Sequence, residues 1–277
     1  MNELQARFPV YWEQAKEYLR NTIYLLPDPE QDCPLGCSKL GGCPDLPPAL
    51  DWFRRDNGRP LSFLAQINLT DAAPLDDAGE LPHSGMLYFF YDNSLEDGGT
   101  PWGFDPADRD GFKVYWYDGP CSGLESRPLP EELEELEGDT VFTEAALTFR
   151  QGQEIPEPES DLLQQCDIPE DEVDDFFSYL DEGEEPGTKL LGHSRCVQSG
   201  MELECEAVTR GAYLGRGTDG RPRSAELAKP WRLLFQLDSE DDADMMWGDC
   251  GMLYFWIRQE DLQARVFDRA WMILQCG

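Results

Sequence analysis

Two glutamines occupy matching places in two similar stretches of the chain and could serve a binding site. Gln66 lies in FLAQINLTD and Gln236 in LLFQLDSED, each within an apolar run that is typical of a β-strand. A buried amide must find partners for both its oxygen and its NH2 group. These glutamines are therefore either satisfied by loop backbone inside the core or form a pair of amides that face a ligand.

A second candidate site is the loop DMMWGDCG, residues 244–251. Met245, Met246, Trp247 and Asp249 combine flexible apolar groups, an aromatic ring and a charge, a set that suits an adaptable recognition surface. The alternative is that Trp247 is buried at one end of a sheet, with its ring in the core.

Two groups of carboxylates could also do chemistry. Glu202, Glu204 and Glu206 alternate with apolar residues in MELECEAV, which predicts a half-buried strand over 201–208 with these carboxylates on its solvent-facing side. The alternative is that the carboxylates on that side bind a divalent cation. The second group lies at the start of a predicted helix and forms a candidate acidic face for a partner: Glu170, Asp171, Asp174 and Asp175.

Cysteine and histidine give little support for catalysis or metal binding. Cys33, Cys37 and Cys43 are spaced Cx3C and Cx5C, without the CxxC pairs or nearby histidine of a zinc site. His83 and His193 are interpreted as turn or surface histidines rather than general bases. The sequence contains no GxSxG, GxxxxGK[ST], HExxH or GxGxxG motif. It therefore predicts no catalytic residues, no metal and no cofactor, and it favours a protein that is not an enzyme.

The elements that position these residues occur twice in the same order. KLGG at 39–42 resembles KLLG at 189–192, the two glutamine strands follow, and GMLYF then appears at both 85–89 and 251–255. A third aromatic strand ends each series, at 113–117 and 269–274. Shared order indicates an internal duplication, and two such units would need one common core to be stable.

The predicted architecture is a single pseudo-symmetric α+β domain over 1–277, built from two intertwined repeats with a mostly antiparallel sheet and flanking helices. Repeat one covers about 39–118, an acidic helical insertion about 125–187, and repeat two about 189–277. Apolar spacing predicts a helix over residues 3 to about 25 and another after Pro169 that contains Val173 and Phe176. Predicted strands cover 61–69, 86–91, 113–117, 231–237, 252–257 and 269–274.

Several of these stretches resemble a known family. SKLGGCPDLPPALDW, PLSFLAQINL and LPHSGMLYFFYD, followed by MMWGDCGMLYFWIRQEDL and FDRAWMILQC, are similar to the YwqG-like family of bacterial domains of unknown function. The resemblance runs from about Lys39 to the end, with a departure at Trp52-Phe53, where the family usually has Trp-Pro. It implies an α+β fold of two intertwined repeats and no established activity, and it implies an association with immunity proteins of toxin systems.

Charge narrows the classes of partner. The chain has 22 basic and 56 acidic residues, a net charge of −34. Such a chain is repelled by nucleic acid and by anionic membranes, so neither is an expected partner, whereas a basic protein is. Its amino-terminal residues lack the apolar run of a signal peptide, and nine cysteines are interpreted as reduced thiols, so a cytoplasmic location is expected.

Two functions follow as hypotheses. The first is a non-enzymatic binding protein, namely an immunity protein that neutralises a basic toxin domain. The second is an enzyme or small-ligand-binding protein with a pocket at the seam between the repeats, faced by Gln66 and Gln236.

Overall fold

A ten-stranded sheet, antiparallel at every pairing, forms the centre of the protein. The computed structural model describes residues 2–96, 99–163, 168–169, 171–182, 185–211 and 224–277. Within these ranges the strands are β1 (Arg20–Asp28), β2 (Lys39–Leu40), β3 (Asp45–Leu46), β4 (Ser62–Asn68), β5 (Met86–Tyr91), β6 (Phe112–Tyr117), β7 (Glu125–Ser126), β8 (Ala145–Glu154), β9 (Lys189–Leu191), β10 (Trp231–Asp238), β11 (Met252–Arg258) and β12 (Trp271–Gln275).

Short helices flank the sheet. They are α1 (Asn2–Arg7), α2 (Pro9–Ala15), α3 (Leu69–Ala72), α4 (Glu131–Glu135), α5 (Val173–Glu182), α6 (Glu202–Val208), α7 (Ala225–Ala228) and α8 (Gln259–Gln263). The class is thus a mainly antiparallel sheet with some helices, as predicted. No helix among the described residues is long and apolar enough to cross a bilayer.

The strand order brings the two ends of the sheet over one core. The order is β12-β11-β10-β9-β1-β8-β2-β4-β5-β6, while β3 and β7 form a separate pair. Phe89 of β5 nevertheless packs against Phe235 of β10 and Phe255 of β11, with ring centroids 4.3 and 5.1 Å apart. Strands from opposite halves of the sheet therefore face each other, and their aromatic side chains fill the space between them.

The two halves repeat the same local pairings. Lys39 lies opposite Gln66 in β2 and β4, and Lys189 lies opposite Gln236 in β9 and β10. Gln66 in turn pairs with Tyr88, and Gln236 with Tyr254. Both glutamine strands carry a register shift just before the glutamine.

The two GMLYF stretches begin in the same way. A Cβ at Gly85 would lie 2.3 Å from the carbonyl oxygen of Tyr117, and a Cβ at Gly251 would lie 2.3 Å from that of Gln275. Each glycine therefore lets the strand start close against the end of the next strand, which accounts for glycine at both positions.

The six predicted strands of the two repeats are confirmed with small differences in their ends. These strands are β4, β5, β6, β10, β11 and β12. Their aromatic and β-branched content and the turn residues that bound them were sufficient signals.

The predicted amino-terminal helix is wrong in its second half. Helix α1 ends at Arg7, and α2 begins again at Pro9 and ends at Ala15. Residues from Arg20 onward form β1, which lies between β8 and β9 near the middle of the sheet. Four consecutive residues of β1, Thr22 to Leu25, are buried, and such a continuous buried run suits a central strand better than an amphipathic helix.

The predicted strand over 201–208 is also wrong, since these residues form α6. The alternation of acidic and apolar residues predicts a strand with its carboxylates on the solvent-facing side. Glu202, Glu204 and Glu206 are instead all buried. Glu202 accepts a hydrogen bond from Ser160 Oγ at 2.8 Å, and Glu206 forms an ion pair with Arg258. Tertiary partners replace water around Glu202 and Glu206, so the alternation of acidic and apolar residues does not mark a solvent-facing side of a strand.

The acidic middle of the chain contributes more than helices. Besides α4 and α5 it contains β8, which pairs with β1 along nine residues and with β2 on its other side. Its outer half is polar and alternates little, so no strand is predicted there from the sequence.

Candidate functional site

Both predicted amides are buried, and both are satisfied by loop backbone. Gln66 accepts a hydrogen bond from the Asp45 N–H at 2.7 Å and donates to the Cys37 carbonyl at 2.8 Å. Gln236 accepts from the Arg195 N–H at 2.9 Å and donates to the Gly187 carbonyl at 2.6 Å. Each glutamine fastens a loop to its strand, so the amides serve the fold at these positions.

The loop over 244–251 is divided between core and surface. Trp247 is fully buried, packs edge-on to Phe142 at 5.4 Å, and donates its indole N–H to the Asp238 carbonyl at 2.9 Å. Met245 is buried beside it, whereas Met246 and Asp249 are exposed. The four residues therefore do not share one surface.

The predicted acidic face lies on an anchored helix. Asp171, Asp174 and Asp175 are exposed at the start of α5, while Glu170 lies outside the described residues. On the opposite side of α5, Phe176 is buried and packs against Phe8 and Tyr11, with ring centroids 5.0 and 4.6 Å apart. The acidic residues are thus presented outward by a helix with a fixed position.

A cavity of about 450 Å³ lies beside the middle of the sheet, next to this helix. Its walls come from β1, β8, β9, α1 and α5, from the segment after β8 and from the loops on both sides of β9. We call it the central cavity. Its charged lining consists of four carboxylates and three cationic side chains: Glu3, Glu154, Glu157, Glu185, Arg7, Lys189 and Arg195. The predicted seam amides, Gln66 and Gln236, do not line it.

One wall of the cavity is an ion pair tied to a loop. Lys189 Nζ lies 2.7 Å from Glu154 Oε1, and the other oxygen of Glu154 accepts the His193 N–H at 2.9 Å. His193 Nε2 lies 2.6 Å from the Tyr18 carbonyl, which can only accept, so Nε2 carries the proton. Burial holds the pKa of His193 well below its usual range, so the ring is neutral near pH 7.

The surroundings of Glu157, one of the carboxylates that line the cavity, raise the pKa of its side chain. Burial raises its pKa to about 7, opposed by a hydrogen bond that it accepts from the Cys196 N–H at 2.8 Å. A group that titrates near neutrality within a concave site is a candidate functional residue. Glu157 could not be identified from the sequence, because a glutamate between two prolines indicates neither its burial nor its neighbours in the fold.

Aromatic rings and guanidinium groups complete the walls. The guanidinium of Arg7 lies 5.1 Å from the ring centroid of Tyr179, and that of Arg150 lies 4.6 Å from that of Tyr24. Tyr24 and Tyr179 line the cavity. Its surface is therefore aromatic and carboxylate-rich, and it already holds the guanidinium group of Arg7 over the Tyr179 ring.

Residues 38–276 match the family described as Domain of unknown function (DUF1963). The chain belongs to the DUF1963 family. A search of curated proteins gives no match. The description of the family names no activity for this DUF1963 domain.

No cluster of three or more His, Cys, Asp or Glu residues that could hold a metal occurs in the described part of this DUF1963 domain. The described cysteines are free thiols. Burial raises the pKa of Cys37 to about 12, so this thiol is protonated near neutrality and is a poor nucleophile or metal ligand. Cys33 and Cys37 interact with each other through their side chains.

Proposed function

We propose that this DUF1963 domain is a non-enzymatic binding protein whose partner is a basic protein, specifically an immunity protein that neutralises a basic toxin domain. One observation carries the proposal: a large negative charge is displayed on anchored surface elements. The net charge is −34, and residues 125–187 contain 22 acidic and two basic residues. Complementary charge speeds association with a basic partner, and buried anchors then determine the lifetime of the complex.

Two exposed acidic patches are available for such a partner. Besides the α5 face of Asp171, Asp174 and Asp175, the region of α4 exposes six carboxylates: Glu131, Glu132, Glu134, Glu135, Glu137 and Asp139. Arg54 pairs with Glu132 at 3.1 Å. The α5 face is the better candidate for specific recognition, because Tyr179 of α5 lines the central cavity whereas no residue of α4 does.

The test is capture of a partner followed by matched charge removal. We expect the wild-type chain to bind a protein of net positive charge, and the triple variant D171N/D174N/D175N to associate more slowly. E131Q/E134Q/E135Q removes the same number of charges from α4 and serves as the control. Slower association in the α5 variant alone supports the proposal; equal effects of both variants, or a captured partner that is not basic, would contradict it.

A small-ligand protein is the second candidate, and the central cavity favours it. Its volume of about 450 Å³ lies within the range of about 300–1,000 Å³ that is common for ligand pockets. The burial of Gln66 and Gln236 does not support their part in that site.

We also infer that the domain is an internal duplication with pseudo-symmetric halves, as in the resemblance to YwqG-like domains. The strongest support is the pair of glutamine contacts. Each glutamine donates to a carbonyl two residues before its KL strand and accepts from an N–H six residues after the strand's lysine. A common origin of the two halves accounts for the repetition of these contacts, whereas two unrelated halves would not be expected to share them.

A further inference from the structure

The central cavity contains one carboxylate whose surroundings leave room for a cation. Glu154 is engaged by Lys189, and Glu185 forms an ion pair with Arg150. Glu157 instead has the Cys196 N–H as its hydrogen-bond donor, and it forms no ion pair with the described residues. A half-buried carboxylate with one backbone donor retains most of its capacity to accept hydrogen bonds.

The cationic residues of the cavity are less available to an anion. Lys189 is bound at 2.7 Å to Glu154, and Arg7 lies over Tyr179 with Glu3 at 3.7 Å. Arg195 is exposed at the rim. An anionic ligand would have to displace existing partners, and it would enter a site with more carboxylates than cations inside a strongly acidic protein.

We propose that the central cavity is a binding site for an organic cation, a guanidinium or primary ammonium group on a short apolar stem, which pairs with the Glu157 carboxylate. Leu4, Ile155 and Pro186 supply apolar wall for the stem. The proposal goes beyond the function proposed above and does not depend on it.

Charged neighbours of Glu157 define how binding depends on pH. Lys189 on β9 and Arg195 in the following loop favour the ionised form, while Glu159 on its own loop opposes it. Cys196 stays protonated because burial raises the pKa of its thiol, and His193 stays neutral. The pKa of Glu157, about 7, makes its ionised fraction rise about tenfold between pH 6 and pH 8.

The experiment uses n-butylguanidinium as the probe and NMR chemical shifts of the cavity residues as the readout, at about 150 mM salt to suppress diffuse binding. Butylurea is the neutral control of the same shape, and valerate is the anionic control. We expect saturable shifts at Tyr24 and His193 with butylguanidinium, affinity about tenfold higher at pH 8 than at pH 6, and no saturation with either control.

Two matched variants make the test specific. Glu157→Gln keeps an acceptor for the Cys196 N–H but removes the charge, and it should weaken binding at least tenfold at pH 8 and abolish the pH dependence. Glu159→Gln removes the same charge from an exposed position two residues away, and at pH 8, where Glu157 is already mostly ionised, it should bind as the wild type does. A thermal melt of each variant establishes that it is folded.

A capped peptide, acetyl-Gly-Arg-Gly-amide, separates the two sources of such a cation. Binding at least as tight as that of butylguanidinium supports a side chain of a partner protein as the source; binding at least tenfold weaker supports a free small molecule. The proposal is overturned if butylguanidinium gives no saturable shifts at cavity residues at pH 8. Equal affinity in wild type and Glu157→Gln would overturn it as well.

Discussion

At the scale of single residues, the same side-chain type serves different purposes according to its surroundings. Gln66 and Gln236 are sealed in the sheet and hold loops, although their sequence context is equally compatible with ligand-facing amides. Glu157 has no distinctive context in the sequence, yet its environment gives it the pKa of a titrating group near neutrality. Burial and neighbouring groups, which depend on tertiary contacts, determine both the structural role of the two glutamines and the pKa of Glu157.

Replacing Gln236 by leucine should destabilise the protein by about 2–4 kcal/mol, because the Arg195 N–H and the Gly187 carbonyl lose their partner inside the protein. Gln153→Leu, at an exposed position of β8, should change stability by about 0.5 kcal/mol or less. Urea denaturation of both variants measures the difference. Equal small effects would show that Gln236 is not a structural tie.

Glu157 should make stability depend on pH in a definite direction. Its pKa in the folded state is raised to about 7 from an ordinary 4.5, so its stabilising contribution is complete below pH 4.5 and is lost as pH rises through 7. Relative to Glu157→Gln, the wild type should lose about 2 kcal/mol of unfolding free energy between pH 5.5 and pH 9. Urea denaturation across that range measures it, and a constant difference would mean that the pKa is not raised.

At the scale of elements, prediction from sequence succeeded where a strand carries its own signal. The aromatic strands β5 and β11 are bounded by turn residues, and their ends agree with the structure to within a residue. The predictions for β1 and α6 are wrong, because the burial of their residues is set by elements distant in sequence. The central cavity combines side chains from segments between residue 3 and residue 195, so no local pattern could have indicated it.

Gly85 and Gly251, the glycines that begin the two GMLYF stretches, should not tolerate replacement by a residue with a side chain. Gly251→Ala would place a Cβ 2.3 Å from the Gln275 carbonyl oxygen, which the edges of β11 and β12 cannot accommodate without moving apart. We expect a loss of about 2 kcal/mol or more. Gly123→Ala, where the nearest atom is the Tyr117 hydroxyl at 3.9 Å, should be nearly neutral. Thermal denaturation compares them, and equal melting temperatures would contradict the close approach.

At the scale of the whole molecule, one continuous sheet folds over an aromatic core and carries a strongly negative surface. The core contacts between β5 and β10 join the two halves, so neither half has a complete core of its own. Nothing in this architecture requires a net charge of −34, and much of that charge lies on α4, α5 and nearby loops rather than in the sheet. Charge that the fold does not need is the reason to propose a basic partner.

The most direct measurement of that central claim is the association rate constant of the captured partner as a function of salt. Electrostatic attraction between an acidic surface and a basic partner is screened by added ions. We therefore predict that the association rate constant falls at least about tenfold between 50 and 500 mM NaCl, with a weaker dependence in D171N/D174N/D175N. An association rate constant that does not change with salt would contradict the account.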